Sequence, residues 1–328
     1  MLTEAELNRE AATTGFRPET LEKVIRLLDL LDGLRSHPFL KSRIALKGGT
    51  ALNLFIFDVP RLSVDIDLNY IGGVSRNTML ADRPNVDRAI QAVCGRQGIQ
   101  VRRTPDDYAG GKWRLSYSTV TGRSGSLELD VNFMLRTPLW PPTISDSRSV
   151  GPVAATGVPV VDTHELAAGK LAALFSRNAS RDLFDARELL QRGGLDRTKL
   201  KIGFVVYGGI NRRDWREVSL DDVRADSSEV DQMLVPVLRG GTAPSRDQIA
   251  TWTERLAADC RTLLASVLPL DEEEREFLNL LNERGEIVPE LLTDDAQLQT
   301  VIRTHPGLLW KALNVRKHHG LDEKSTPR

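Results

Sequence analysis

The sequence predicts an α+β protein: a sheet flanked by helices, followed by a mostly helical extension. Three observations carry this expectation. A short apolar strand at 44–46 runs through a glycine pair into an apolar helical stretch, and a second strand follows at 64–68. Three more strand candidates lie between 100 and 134, one of them strictly alternating. Several later stretches repeat apolar residues at helical spacing. The expected division is a core domain over 1–192 and a helical domain over 193–328.

Residues 1–37 read as helix, with Pro18 at a position where a helix can start and Leu21, Val24, Ile25, Leu28 and Leu31 spaced for packing. The strand Ile44–Leu46 then leads into Lys47, Gly48, Gly49 and Thr50. An apolar helical run from Ala51 to Phe57 ends in a polar turn carrying Arg61 and Ser63. Strand 64–68 holds Asp65 and Asp67. The segment 69–85 reads as a polar, glycine-containing loop, and 86–97 as a short amphipathic helix. Strands are expected at 100–103, 113–120 and 126–134, the last two joined by the turn TGRSG. Residues 136–161 read as an irregular, proline-rich connection in which Trp140 packs the chain down. Two helices are expected over 162–190, capped by Thr163 and Ser180. Further helices are expected at 246–268, 271–284, 287–303 and 306–318, with a frayed tail after them.

Bulk properties narrow the function classes. A chain of 328 residues with 27% charged and 41% hydrophobic residues is ordinary for a globular protein. The formal net charge of −1 gives no overall basic character, although a local basic groove remains compatible with it. Cys94 and Cys260 are too few and too far apart for a disulfide framework or a zinc site, so both read as buried thiols. No apolar run approaches the length of a membrane span. The start of the chain lacks the basic-then-apolar pattern of a secretion signal, so a cytoplasmic location is expected.

The chemistry concentrates at 47–69. In a strand, residues i and i+2 share a face, so Asp65 and Asp67 point one way while Val64, Ile66 and Leu68 point into the core. Two neighbouring carboxylates repel unless a cation lies between them, and hard oxygen donors at that spacing suit Mg2+. The glycine pair lets backbone approach a phosphate, and the following helix start offers N–H groups to an anion. Metal and phosphate cradle together point to nucleotidyl transfer. On the alternating strand SLELDVNFM, Asp130 is a third carboxylate suited to act as a base or a metal ligand. Glu128 and Asn132 share its face, and spacing leaves the choice among them open. Lys112 and Arg114 share a strand face, either as contacts to a triphosphate or an RNA backbone or as plain solvated charge. Lys199, Lys201, Arg212, Arg213 and Arg216, interleaved with Phe204, Tyr207 and Trp215, read either as an RNA-binding mixture or as charge over packed aromatics.

The stretches GGTALNLF and RLSVDIDL resemble the first motif of DNA polymerase β-like nucleotidyltransferases, and more closely that of the AbiEii/MenT toxins of type IV toxin–antitoxin and abortive-infection systems. The later run ELAAGKLAALFSRNASRDLFD is similar to the fourth motif of that family, so the resemblance spans roughly residues 40–190. It implies a mixed sheet flanked by helices and a Mg2+-dependent enzyme, with Mn2+ as an alternative ion. That enzyme would transfer NMP from an NTP to an RNA 3′-hydroxyl, the tRNA acceptor end in its relatives, and so block translation. The resemblance makes Gly48, Gly49, Thr50 and Ser63 nucleotide-side residues, makes Asp65, Asp67 and Asp130 the metal and base carboxylates, and makes Lys170 a phosphate contact. It makes Arg181 and Asp182 a fixed pair, Asp185 a supporting nucleotide-side residue, and Lys112, Arg114 and Arg177 phosphate or RNA contacts. A winged-helix antitoxin encoded nearby, and a monomeric state, are also expected. A phosphate on Ser63 would repel metal and nucleotide; the plain reading of that residue is a turn serine bonded to its own backbone. Three rivals remain at this stage: a same-fold transferase acting on a small molecule or a protein hydroxyl, a non-catalytic nucleotide-binding protein, and a kinase-like phosphotransferase that moves the γ-phosphate instead of the α-phosphate.

Overall fold

Alternating apolar residues in the first half of the chain assemble a seven-stranded sheet, seen in a computed structural model that describes residues 2–103 and 110–320. The tail expected to fray lies largely beyond 320, outside the described residues. The strands are β1 (Ile44–Lys47), β2 (Asp65–Tyr70), β3 (Gln100–Arg103), β4 (Gly110–Ser118), β5 (Ser124–Asn132), β6 (Thr143–Ser145) and β7 (Val158–Val160). Their order is β3-β4-β5-β2-β1-β7-β6, and the sheet is mixed: β2 pairs parallel with β5 and β1 with β7, while the other pairs are antiparallel.

Contacts divide the chain into two compact units. The first holds residues 1–136, 141–162 and 228–249; the second holds 137–140, 163–227 and 250–328. Residues 163–192, expected with the core domain, thus fall in the second unit.

In the first unit, helices α1 (Glu4–Thr14) and α2 (Pro18–Ser36) account for the helical reading of 1–37. Nine residues of α2 are buried, including the neighbours Leu27, Leu28, Leu30 and Leu31, so it is a core helix enclosed on most sides. Each such leucine contributes about 1.5–3 kcal/mol relative to leaving it in water. Ile66, Leu68, Trp113, Leu115, Leu127, Leu129 and Val131 supply the apolar face of the strands, each at most 1% exposed.

One local expectation is refined and two are corrected. The run after the glycine pair is one α turn, α3 (Gly48–Ala51), then a π turn over Leu52–Ile56 closed by the Phe57 amide donating to the Leu52 carbonyl at 2.8 Å. The segment 76–85 is helical: α4 runs Arg76–Arg96, started by Ser75 accepting from the Thr78 amide, with Pro84 tolerated inside it. The connection 136–161 contains β6 and β7, and the short β7 gives β1 its second neighbour.

The second unit is helical. Here α5 (Thr163–Arg177), α6 (Ser180–Arg192) and α7 (Arg197–Ile210) pack around Phe175, Phe204 and Trp215, whose ring centroids lie 5.1–5.8 Å apart. Ser180 is the first residue of α6, and the cap position before it is Ala179, which offers no side-chain bond. The later helices Ile249–Leu264, Glu272–Asn279 and Pro306–His318 fall close to expectation, whereas the helix expected at 287–303 is shorter, Ala296–Arg303, preceded by a separate turn at Pro289–Leu291. Burial pushes the Cys94 thiol up to about 11 and the Cys260 thiol up to about 12, as inert core thiols require. Among the described residues no helix is long and apolar enough to cross a membrane.

Candidate active site

Strand register sets a row of charged residues in the first unit. Lys47 on β1 lies opposite Asp67 on β2, Asp67 beside Asp130 on β5, and Asp130 opposite Lys112 on β4. Cross-strand partners share a face, so a row of charges, Lys47–Asp67–Asp130–Lys112, crosses four strands at about 4.8 Å steps. The next row is Asp65, Glu128 and Arg114. Like charges set side by side destabilise a sheet, and the lysines at the ends of the first row offset part of that cost. Burial holds the Asp130 carboxyl above its ordinary value; Lys47 opposes this, and the neighbouring Asp67 carboxylate adds to it. This geometry singles out Asp130 from the three residues that share its face. Asn132 accepts from the Met134 and Leu135 amides at 2.8 Å each, and Glu128 bonds Lys112 Nζ at 3.0 Å and lies 3.9 Å from Arg114 Nε.

The glycine pair is required by close approach. Gly48 has φ 72°, and a Cβ there would lie 2.2 Å from Asp67 Oδ2. A Cβ on Gly49 would lie 2.9 Å from Ser63 Oγ and 3.0 Å from an Arg61 guanidinium nitrogen. The loop therefore seats directly on the RLSVDID segment. Thr50, expected on the nucleotide side, is fully buried and donates its hydroxyl to the Asp65 carbonyl at 2.5 Å, which fixes the loop to β2. Asn53 donates to the Gly49 carbonyl at 2.9 Å.

Sequence reasoning assigned no role to Arg61 or Asn69. Arg61 is 2% exposed, lies against Gly49 and donates to the Leu62 carbonyl at 3.0 Å. Its segment is strapped by 237–239: the Leu62 amide donates to the Val237 carbonyl at 2.8 Å, and the Arg239 amide to the Pro60 carbonyl at 2.9 Å. The sequence carries no local signal for this burial, because the strap lies far along the chain. Asn69 continues the face of Asp65 and Asp67; it is fully buried, and its amide atoms find no hydrogen-bond partner among the described residues.

The second unit gathers the other assigned residues. Lys170 Nζ lies 2.7 Å from Asp182 Oδ1 and 2.9 Å from Asp185 Oδ2. Arg177 forks onto Asp182 with contacts of 2.5 and 3.0 Å. Both carboxylates and Lys170 are buried, and their formal charges with Arg177 balance. Desolvation alone would raise the Asp182 carboxyl, but Lys170 and Arg177 outweigh it and hold it below the ordinary value. The expected pairing of Arg181 with Asp182 is not seen among the described residues: Arg177, at the end of α5, reaches back over the α6 start and pairs with Asp182, while Arg181 shows no hydrogen bond or ion pair among the described residues.

The basic stretch 199–216 resolves into charge over packed aromatics. Phe204 and Trp215 are fully buried, Lys201 pairs with Asp271 and Glu274, Arg213 with Asp222, and Arg216 with Asp214 and Glu283.

The donor set suits a hard divalent cation, since it offers carboxylate oxygens alone. Among the described residues no three acidic, histidine or cysteine side chains converge into a preformed cation cage. Mg2+ held by one or two carboxylates and completed by substrate phosphates needs no such cage.

A mixed sheet that sets carboxylates on neighbouring strands beside a glycine loop is the framework of a nucleotidyltransferase. Over residues 29–252, more than half of its length, the chain matches the family described as nucleotidyl transferase AbiEii toxin, type IV TA system, and it belongs to that family. The fold is also that of a solved relative, the nucleotidyltransferase toxin MenT4 of Mycobacterium tuberculosis H37Rv, with a TM-score of 0.58 and 21% identity over 92% of this chain and 100% of that one. No curated protein matches the sequence. The protein is thus a nucleotidyltransferase toxin of a type IV toxin–antitoxin system, and an antitoxin is the partner its family implies.

Proposed function

We propose that this toxin transfers NMP from an NTP to an RNA 3′-hydroxyl, with the tRNA acceptor end as its substrate. The observation that carries the reading is the side-by-side register of Asp67 and Asp130 with Asp67 against the Gly48 backbone. Asp65 and Asp67 would hold Mg2+, or Mn2+ in its place, with Asp130 adjoining. Such an ion supplies charge neutralisation for the triphosphate. Gly48 and Gly49 let the loop seat against Asp67, Ser63 and Arg61, which brings its backbone beside the acidic row where the phosphates would lie. Asp130, whose burial favours uptake of a proton, accepts the proton of the attacking hydroxyl. The oxygen forms its bond to the α-phosphorus, the bond from that phosphorus to the bridging oxygen breaks, and pyrophosphate leaves. Catalysis of this kind is mostly positioning and electrostatic stabilisation.

The choice of RNA, and of a winged-helix antitoxin, rests on the resemblance carried by the two motif stretches. The same holds for the nucleotide-side roles of Lys170, Asp182 and Asp185 and the RNA-side roles of Lys112, Arg114, Arg177 and Arg181. The deciding experiment supplies each α-32P nucleotide with Mg2+ to total tRNA, using wild type and Asp67→Ala. Label entering tRNA with wild type alone is expected. A folded wild type that labels no tRNA with any nucleotide would sink the reading.

A further inference from the structure

The cations assigned to phosphate on sequence grounds are mostly committed to carboxylates. Lys112 and Arg114 face Glu128, while Lys170 and Arg177 hold Asp182. Lys47 is different. It ends β1, immediately before Gly48, and lies in register with Asp67. It is half-buried, yet its ammonium makes no hydrogen bond or ion pair among the described residues. Its registered neighbour does not neutralise it, because the Asp67 carboxylate is turned onto Gly48. Lys47 still lies close enough to Asp130 to act on it electrostatically.

The charge balance of this face gives such a lysine a task. Asp65, Asp67, Glu128 and Asp130 oppose Lys47, Lys112 and Arg114, and the last two are turned toward Glu128. A polyanion entering beside Asp65, Asp67 and Asp130 meets net negative charge. An uncommitted ammonium next to the glycine loop favours its phosphates, and lysine suits this as a compact charge on a flexible stem.

We propose that Lys47 is a phosphate-binding residue of this site, with its ammonium on the phosphates of the nucleoside triphosphate that leave as pyrophosphate. This rests on the nucleotidyl-transfer reading. Because the ammonium forms no ion pair with these carboxylates among the described residues, removing it should not weaken metal binding.

Calorimetric titration of ATP, CTP, GTP and UTP, each with Mg2+, into wild type, Lys47→Met, Lys47→Gln and Lys47→Arg tests the proposal. The nucleoside monophosphate of the tightest binder is titrated in parallel, and Mn2+ binding without nucleotide is read by electron paramagnetic resonance. Losing one charge-assisted hydrogen bond should weaken triphosphate binding roughly 10- to 50-fold in the Met and Gln variants. Monophosphate binding should change less than about threefold, since the leaving phosphates are absent from it. The Arg variant should recover most of the triphosphate affinity, and Mn2+ affinity should be unchanged or tighter. Unaltered triphosphate affinity in Met or Gln, or equal losses for mono- and triphosphate, would overturn the role of Lys47 and leave the transfer reading standing. Wild type that binds none of the four triphosphates would overturn both.

Discussion

Gly48 is the residue at which backbone conformation and chemistry meet. At φ 72°, an alanine there costs about 1–2 kcal/mol in backbone strain, and its methyl group would enter the Asp67 carboxylate. Gly48→Ala should therefore lose transfer by at least about 100-fold, more than its stability loss explains, because a displacement near 1 Å at a reacting centre costs about that much. Parallel α-32P transfer assays and denaturant melts check this. Asp130→Asn should behave in the opposite sense for stability, since it removes the repulsion with Asp67: a gain of about 0.5 kcal/mol, with transfer nearly abolished. The sign agrees with linkage. An acid held above its ordinary value in the folded state destabilises once ionised, so its cost fades as pH falls through the raised value. The carboxylate pair and the glycine pair were legible in sequence because strand alternation and a two-residue turn are local. Lys47 was not, since its place opposite Asp67 follows from cross-strand register, and neither was Arg61, whose burial depends on residues 237–239.

Helices α5 and α6 are joined by a charged clamp more than by their caps. Lys170→Met removes the ammonium that Asp182 and Asp185 share in the interior, and breaking a buried pair in this way costs roughly 3–5 kcal/mol. Chemical denaturation of the ligand-free protein should show that loss. The same clamp sets an acid limit. Asp182 is held below 3.8, so its contribution is full above that value and is lost as pH falls from there through the lowered folded value. An acid titration followed by near-ultraviolet circular dichroism should lose this step in Asp182→Asn. Helix α4 shows where local signals mislead. Pro84 marks a loop in sequence, but Met79, Arg83, Val86 and Ile90 keep one face buried, and tertiary packing overrides the missing amide. Pro84→Ala restores that amide and should raise stability by about 1–2 kcal/mol, measurable as a higher Tm.

Across the whole molecule, connectivity and packing do not run in parallel. The sequence reading put a boundary at 192 because motif resemblance ended near there, and composition gave no sign that 228–249 packs with the strands. A fragment ending at 192 lacks the strap that bonds Pro60 and Leu62, and should bind nucleotide far more weakly than the full chain. The strap also sets a schedule. A ribosome that has made β5 must add about 117 more residues, from 133 to 249, before 249 is complete, roughly 6–23 s at about 5–20 residues per second. Until then the loop that carries Arg61 and Ser63 lacks the backbone bonds that Val237 and Arg239 make to it. Completion of this loop is thus tied to residues made more than a hundred positions later, and each copy must be extended through 249 of its 328 residues before the strap can close.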